Sequence, residues 1–199
     1  SAGGYGTFLN ADYLQSRLAA SSLPTNITFK ASPRAGYFFP SAQVEENSPC
    51  LELVSDFAHE SQGQSGNAAC SSSTTLLWNT LNISAACAAD YGNDWWKCGL
   101  ANVAIQYVKT PLFWGQNQFD SNQIFAQLGT PNDNSEVSNQ YVAYFGGATN
   151  ESMNEKLPKK DGAFVPSCLG HTNMDATIGN VTYLSALGDF FWGRGTTVT

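Results

Sequence analysis

A short apolar run at residues 111–114 constrains the fold more than any other feature of the chain. It reads PLFW after a Thr-Pro break and offers no polar position on either face, which is typical of a buried parallel strand. Helical patterns lie at residues 1–20, 139–145 and 182–192, and a strand-like run, AFVPSCLGH, separates the last two. Helices alternating with short apolar strands predict an α/β fold with a parallel sheet.

The remaining segments carry weaker signals. Leu9, Tyr13, Leu14 and Leu18 recur at helical spacing, which predicts an amphipathic helix that begins after the opening glycines. Ile27 and Phe29 alternate with polar neighbours, as in a short strand. Residues 41–80 are rich in Ser, Gln and Asn, and we expect them to form helices and loops over the core.

Composition narrows the class of protein. The 199 residues carry 9 Lys+Arg against 16 Asp+Glu, and the only basic run is Lys156, Lys159 and Lys160, so we expect no nucleic-acid binding. No apolar stretch approaches the ~20 residues that cross a bilayer, and no transmembrane segment is expected. The length suits a single domain spanning residues 1–199, or a large part of one.

Sequons and cysteines indicate secretion. Four Asn-x-Ser/Thr sequons begin at Asn26, Asn82, Asn150 and Asn180. This number is typical of a glycosylated extracellular protein, in which disulfides are common. The five cysteines are Cys50, Cys70, Cys87, Cys98 and Cys168.

Two of the cysteines flank a short loop. The Gly-Asn-Asp at 92–94 could reverse the chain and bring Cys87 to Cys98, although two unpaired buried thiols would fit the same spacing. The odd total leaves at least one cysteine without an internal partner. It is either a free thiol or bonded to polypeptide outside this sequence.

Two histidines are candidates for general-base chemistry. His59 lies between acids in a segment that we expect to be a surface helix, and we interpret it as a solvated side chain. His171 follows a strand-like run and a Leu-Gly turn, and Asp120 ends the run PLFWGQNQFD. Both therefore lie beyond carboxyl ends of strands, where reactive groups of α/β sheets gather, although either could be an ordinary loop residue.

The opening residues suggest a nucleophile. Ser1-Ala2-Gly3-Gly4 before a helix matches the second half of a G-x-S-x-G elbow, where small neighbours permit a sharp strand-to-helix turn. The order Ser1, Asp120, His171 is the order of the α/β-hydrolase triad. An N-terminal-nucleophile hydrolase using Ser1 and its own amine is an alternative, but such enzymes begin with a strand.

Five blocks in this order resemble the pectin acetylesterase/Notum family of α/β-hydrolase carboxylesterases. They are SAGGYGTFLNADYLQSRL, AGYFF, CAADYGNDWWKC with TPLFWGQNQFDSNQI, FVPSCLGHT and ALGDFFWGRG. The resemblance implies a three-layer, mostly parallel sheet and identifies the chain as the carboxyl-terminal part of a catalytic domain. The strands and oxyanion loop that precede the elbow in this family have no counterpart here. An amino-terminal fragment of the same protein is therefore a possible partner.

The resemblance also assigns roles. It implies that Ser1 is the nucleophile, His171 the base, Asp120 the acid that orients it, and the Ala2 N–H one oxyanion donor. It further suggests a Cys87–Cys98 bridge. No cofactor or metal is expected.

The expected function is a secreted serine carboxylesterase of the cell wall or extracellular matrix. Its substrates would be O-acyl, primarily acetyl, esters on a polysaccharide such as pectin. The alternatives are a lipid deacylase like Notum and a non-catalytic, glycosylated structural or binding protein that keeps the fold.

Overall fold

The computed structural model describes residues 1–22, 27–39, 83–128, 134–195 and 197–198. Its helices are α1 (Ala2–Ala19), α2 (Ala85–Tyr91), a 3₁₀ helix (Gly92–Gly99), α3 (Ala101–Ala104), α4 (Ser121–Leu128), α5 (Glu136–Lys156) and α6 (Tyr183–Phe191). Its strands are β1 (Phe113–Gly115), β2 (Phe119–Asp120), β3 (Gly162–Phe164), β4 (Leu169–Gly170), β5 (Thr177–Ile178), β6 (Val181–Thr182) and β7 (Thr197–Val198).

The central sheet is parallel. Strand β3 lies between β1 and β7, and all three run in the same direction. An extended segment joins the other side of β1 through parallel bridges from Ala31 to Leu112 and from Arg34 to Gly115. Beyond the carboxyl ends of β1 and β3, the chain continues into a second parallel pair, β2 and β4. Strands β5 and β6 form an antiparallel hairpin.

Strand β1 is buried on both faces. Phe113 and Trp114 are adjacent, so their side chains point to opposite sides of the sheet, and both are almost inaccessible to solvent. Trp114 packs against Phe8 of α1 and against Tyr37, with ring centroids 5.4 and 5.3 Å away. Phe113 packs against Phe190 of α6 at 5.3 Å. Helices therefore cover both faces, and the prediction of a buried parallel strand between helical layers is confirmed.

Helix α1 begins earlier than the sequence predicted. It starts at Ala2 and includes the glycines that we expected to precede it. The reason is contact with the sheet: a Cβ at Gly4 would lie 2.0 Å from the carbonyl oxygen of Arg34, and a Cβ at Gly36 2.4 Å from the carbonyl carbon of Gly4. Only glycine permits this approach of helix backbone to strand backbone.

The buried face of α1 also differs from the predicted one. Tyr5, Phe8 and Ala11 are buried, whereas Tyr13 and Leu14 are 53% and 47% exposed. The close contact at Gly4 turns the face that contains Phe8 toward Trp114. Tyr13 and Leu14 are consequently rotated toward solvent, so part of the predicted apolar face was wrong.

The other segment predictions had mixed outcomes. The helix predicted at 139–145 is confirmed as part of α5, and the one predicted at 182–192 is confirmed as α6, which spans Tyr183–Phe191. The strand predicted around Ile27 and Phe29 is displaced: pairing begins only at Ala31, opposite Leu112, and Ile27 is exposed. The prediction for residues 41–80 and the one for His59 lie outside the described residues.

The loop flanked by two cysteines is closed by a disulfide. Cys87 and Cys98 are bonded, and both are buried, which confirms the predicted bridge. It ties α2 to the end of the 3₁₀ helix, next to α3. By its loop length, such a cross-link stabilises a fold by about 2–4 kcal/mol. Among the helices that the structure describes, none combines the length and apolar character needed to span a bilayer.

Candidate active site

Asp120 is the last residue of β2 and the cap of the helix that follows. Its Oδ1 accepts hydrogen bonds from the backbone N–H groups of Asn122 (3.0 Å) and Gln123 (3.1 Å) in the first turn of α4. A carboxylate at this position satisfies otherwise unpaired amides and faces the positive end of the helix dipole. The side chain is completely buried. Local structure therefore fixes the carboxylate and favours its negative charge.

His171 is brought to Asp120 by the β2–β4 ladder. In this parallel pair Asp120 lies opposite Gly170, so the residue after Gly170 emerges beside the carboxylate. His171 Nδ1 lies 2.9 Å from Asp120 Oδ1 and 3.0 Å from Oδ2. Because an ionised carboxylate only accepts, Nδ1 carries the proton and Nε2 is the basic atom of the neutral ring. The imidazole is 23% exposed, so a substrate can reach it.

Two buried amide side chains support this pair. Gln116 Nε2 donates to Asp120 Oδ2 at 2.8 Å. Asn117 Nδ2 donates to the backbone carbonyls of His171 (3.3 Å) and Asn173 (2.9 Å) and holds the histidine loop against the end of β1. Both side chains are almost fully enclosed.

The sequence analysis did not single out Gln116 or Asn117. Their only signal is the run GQNQFD, where two amides interrupt an apolar strand just before the candidate acid. Amide side chains in the loop after a strand follow no periodic pattern. The sequence therefore does not indicate which groups they bond.

Ser1 lies at the amino-terminal end of α1, one strand away from β1. Its nitrogen donates to the carbonyl oxygen of Ala35, and the Ala35 N–H donates to the carbonyl of Gly115, the last residue of β1, at 2.8 Å. Gln116, the next residue, bonds Asp120. Ser1 thus lies at the same carboxyl edge of the sheet as the Asp120–His171 pair.

The position of Ser1 at the start of α1 brings it close to the first amides of the helix. Ser1 is the N-cap residue, and its carbonyl accepts from the Tyr5 N–H at 2.9 Å, but its side chain does not cap the helix. The Ala2 N–H belongs to the first turn, whose amides have no partner within a helix and form the positive end of its dipole. An anion that develops near Ser1 would therefore meet amide donors.

Two buried tyrosines lie in the hydrophobic core next to the elements that carry these residues. Burial raises the pKa of Tyr5, whose ring contacts Phe8 and Phe38. Burial also raises the pKa of Tyr37 to about 12, and its hydrogen bond with Ser152 offsets this only in part. Both phenols are therefore neutral at physiological pH.

The structure also locates two of the sequons and one further cysteine. Asn180 is exposed in the turn between β5 and β6, next to Gly179, while Asn150 is half-buried in α5. Cys168 is half-buried two residues before Gly170, and it forms no disulfide with the cysteines that the structure describes. Asn26, Asn82, Cys50 and Cys70 lie outside the described residues.

Comparison with solved structures identifies the fold. Two crystal forms of the Wnt deacylase Notum from Drosophila match all of the chain, with TM-scores of 0.76 and 0.75 and sequence identities of 23% and 22%. The chain spans 53% of each of these structures. The fold is therefore that of an α/β-hydrolase, as the sequence predicted.

Sequence comparison identifies the family. The palmitoleoyl-protein carboxylesterase NOTUM of Drosophila melanogaster is 28% identical over 174 residues, which are 86% of this chain and 22% of that protein. The chain thus spans about a fifth of this curated relative. The sequence profile of the pectinacetylesterase family matches residues 1–199 in full. With the whole chain matched, it belongs to the pectinacetylesterase family, whose members include carboxylic ester hydrolases.

Proposed function

We propose that the protein is a serine carboxylesterase that uses Ser1, His171 and Asp120 as its catalytic triad. The observation that supports this best is the His171–Asp120 pair, bonded at 2.9 Å at the strand edge where Ser1 begins α1. The Nδ1–H tautomer leaves Nε2 as the general base, and the buried carboxylate stabilises the imidazolium that forms. Membership of the family supports the same chemistry.

The proposed reaction is acyl transfer in two steps. Ser1 Oγ attacks the ester carbonyl carbon while His171 Nε2 takes the hydroxyl proton, and the carbonyl oxygen becomes an oxyanion that the Ala2 N–H stabilises. The bond between the acyl carbon and the alcohol oxygen breaks, and that oxygen takes the proton from His171. Water then attacks the acyl-serine and gives a proton to His171. The bond between the acyl carbon and Ser1 Oγ breaks, His171 returns the proton to Oγ, and the carboxylic acid leaves.

The substrate class proposed first is an acetyl ester on a polysaccharide such as pectin. The family description supports an acetylated carbohydrate. The name of the Drosophila relative supports a second candidate, a long-chain acyl group on a protein. Relative kcat/KM values with acetyl, octanoyl and palmitoyl aryl esters distinguish them: a rate that falls with chain length supports the acetylesterase, and one that rises supports the deacylase.

We further propose that the protein is secreted. The buried Cys87–Cys98 disulfide is a bond that oxidising compartments favour, and the exposed sequon at Asn180 could carry a glycan. The shift in mass after enzymatic deglycosylation of the native protein tests this. A native protein of unmodified mass, recovered with reduced cysteines from inside cells, would contradict it.

The test of the catalytic proposal is a Ser1→Ala substitution in the full-length protein. With an aryl acetate substrate we expect kcat to fall by about 10³-fold or more, because the nucleophile is lost while the fold stays intact. Ser16→Ala is the matched control: Ser16 is an exposed serine of the same helix, and its variant should keep the wild-type rate. Undiminished turnover by Ser1→Ala would refute the triad. A wild-type protein without activity on any ester would support the non-catalytic alternative.

A further inference from the structure

Gln116 has a side chain with two different hydrogen-bonding ends, and both are used. The residue is completely buried. Its Oε1 accepts from the backbone N–H of Tyr37 at 3.0 Å, and its Nε2 donates to Asp120 Oδ2 at 2.8 Å. A longer contact, 3.4 Å, joins Nε2 to the carbonyl of Asn117.

These partners fix the orientation of the amide. The Tyr37 N–H can only donate, so the group that faces it must be the oxygen, and the NH₂ group must face Asp120. The Asp120 oxygen opposite that NH₂ is then the acceptor of the bond. A neutral donor inside the fold thus fixes the direction of the carboxyl group that bonds His171.

The same side chain connects the acid to the extended segment that contacts Ser1. Tyr37 lies two residues after Ala35, whose carbonyl accepts from the Ser1 nitrogen and whose N–H donates to Gly115. Gln116 follows Gly115 directly. One buried amide therefore bridges the segment on which Ser1 rests and the carboxylate that orients His171.

We propose that Gln116 is a positioning residue. It fixes the Asp120 carboxylate for His171 and links that carboxylate to the extended segment that contacts Ser1. The inference rests on the triad proposed above and deepens it. Gln116 takes no part in bond making, since its contacts are with Asp120, Asn117 and the Tyr37 backbone. It acts by limiting the positions that the base can adopt, because misplacement of a catalytic group by about 1 Å can cost roughly 10²-fold in rate.

The first experiment is Gln116→Met in the full-length protein. The thioether fills a similar volume but neither accepts from Tyr37 nor donates to Asp120. We expect kcat for an aryl acetate to fall about tenfold or more, with KM nearly unchanged. Without the donor, the carboxylate charge is less compensated, so the imidazolium is favoured and the acidic limb of the kcat/KM profile moves to higher pH by roughly half a unit or more.

The matched control is Gln118→Met. Gln118 lies on the same loop, but its side chain bonds the carbonyl of Gly146 and the hydroxyl of Ser167 and touches neither Asp120 nor His171. This variant should lower the melting temperature and leave the acidic limb in place. A Gln116 variant that loses stability but keeps the wild-type pH profile and kcat would overturn the proposal, because it would make the role of Gln116 purely structural.

A second variant, Gln116→Glu, decides the matter if the methionine variant does not fold. It keeps the shape and the acceptor for Tyr37, but brings a second carboxyl to the position 2.8 Å from Asp120 Oδ2. Two carboxyls this close share one proton, so the pH profile should gain an ionisation that the wild type lacks. A folded Gln116→Glu enzyme without the added ionisation would refute the inference.

The triad and the positioning role of Gln116 can be refuted independently of each other. If Ser1→Ala keeps full turnover, the triad is wrong, and NMR titration of the His171 imidazole in Gln116→Met still shows whether Gln116 controls this pair. If Ser1→Ala is inactive while both Gln116 variants behave as wild type, the triad stands and the role of Gln116 falls.

Discussion

Four hydrogen-bond donors surround the buried carboxyl group of Asp120. Two are backbone amides of α4, one is the Gln116 amide, and one is His171 Nδ1. A buried carboxylate without partners would be neutralised by a large rise in its pKa. Each of these donors also sets a direction, so together they fix the carboxyl group that orients the imidazole.

This arrangement predicts the effect of Asp120→Asn. The amide has the same shape, but its NH₂ group would donate to Nδ1, and the proton of the ring would move to Nε2, the atom that must act as base. We expect kcat to fall by about 10⁴-fold.

Two controls accompany the measurement on Asp120→Asn. Asp94→Asn removes an exposed carboxylate that pairs with Lys97, and it should leave kcat unchanged. A circular-dichroism melt should show that Asp120→Asn is still folded at the assay temperature. A folded Asp120→Asn enzyme with wild-type kcat would exclude the carboxylate from the mechanism.

Helix α1 is seated on the sheet by backbone contact, with no side chain between them at Gly4 and Gly36. This close seating places the helix start, and with it Ser1, at the edge of the sheet. Interleaved side chains at this position would hold the helix backbone farther from the strand, as the clash of an added Cβ at Gly4 shows. The position of the candidate nucleophile is therefore a property of an element interface.

Two glycine substitutions in α1 test this seating. In Gly4→Ala the added Cβ would lie 2.0 Å from the Arg34 carbonyl oxygen, so we expect a loss of about 3 kcal/mol or more in the free energy of unfolding. In Gly6→Ala the Cβ meets no atom within 4 Å, and the better helix propensity of alanine should stabilise the protein by up to about 1 kcal/mol. Urea unfolding of the two variants measures both effects. Equal stabilities would show that the close contact is absent in solution.

At the scale of the molecule, the helical layer is joined to the sheet by charged as well as apolar contacts. Asp12 of α1 accepts hydrogen bonds from the backbone N–H groups of Lys109 and Thr110 and from the Thr110 hydroxyl, just before the chain enters β1. Burial by itself raises the pKa of Asp12, but these donors outweigh it and hold the pKa below its ordinary value. The bonded state is therefore the ionised one.

Asp12 makes the free energy of unfolding depend on pH in the acidic range. Because its pKa is lower in the folded than in the unfolded state, its contribution is complete above pH ~4 and is lost as the pH falls through the folded-state value. Asp12→Asn should be about 1–2 kcal/mol less stable at pH 7, with the difference shrinking in acid. Thermal melts at pH 7 and pH 3 measure it, and Asp175→Asn, at an exposed site, is the control. A difference that does not change with pH would contradict this role of Asp12.

The sequence predicted those parts of the fold that are determined locally. The run at 111–114 is apolar on both faces, and β1 is buried on both faces for that reason. The face of α1 was harder to predict, because glycine has no apolar side chain to register in a periodic pattern, yet Gly4 decides how the helix sits. The sheet pairing at Ala31 depends on Leu112, 81 positions later, and no local pattern contains that information.

The candidate site divides in the same way. Asp120 and His171 were identified by strand ends and by resemblance, and the β2–β4 ladder explains their proximity. Gln116 was missed because its importance comes from the groups that it bonds. A glutamine near the end of a strand carries no sequence signal that separates it from other polar loop residues. The catalytic roles of Ser1, Ala2, Asp120 and His171 stay predictions.

The short β2–β4 ladder makes tolerance to insertions and deletions unequal along the chain. Three residues link β1 to β2 and four link β3 to β4, and the backbone bonds Gln116 N–Phe164 O and Gln118 N–Pro166 O lock these links together. Removing one residue from either link would shift the pairing of β2 with β4 by one position. The Asp120 carboxyl group and the His171 imidazole would then no longer face each other. The exposed turn at Gly179 and Asn180 lies outside this ladder, so an insertion there should leave the pairing of Asp120 with His171 in place.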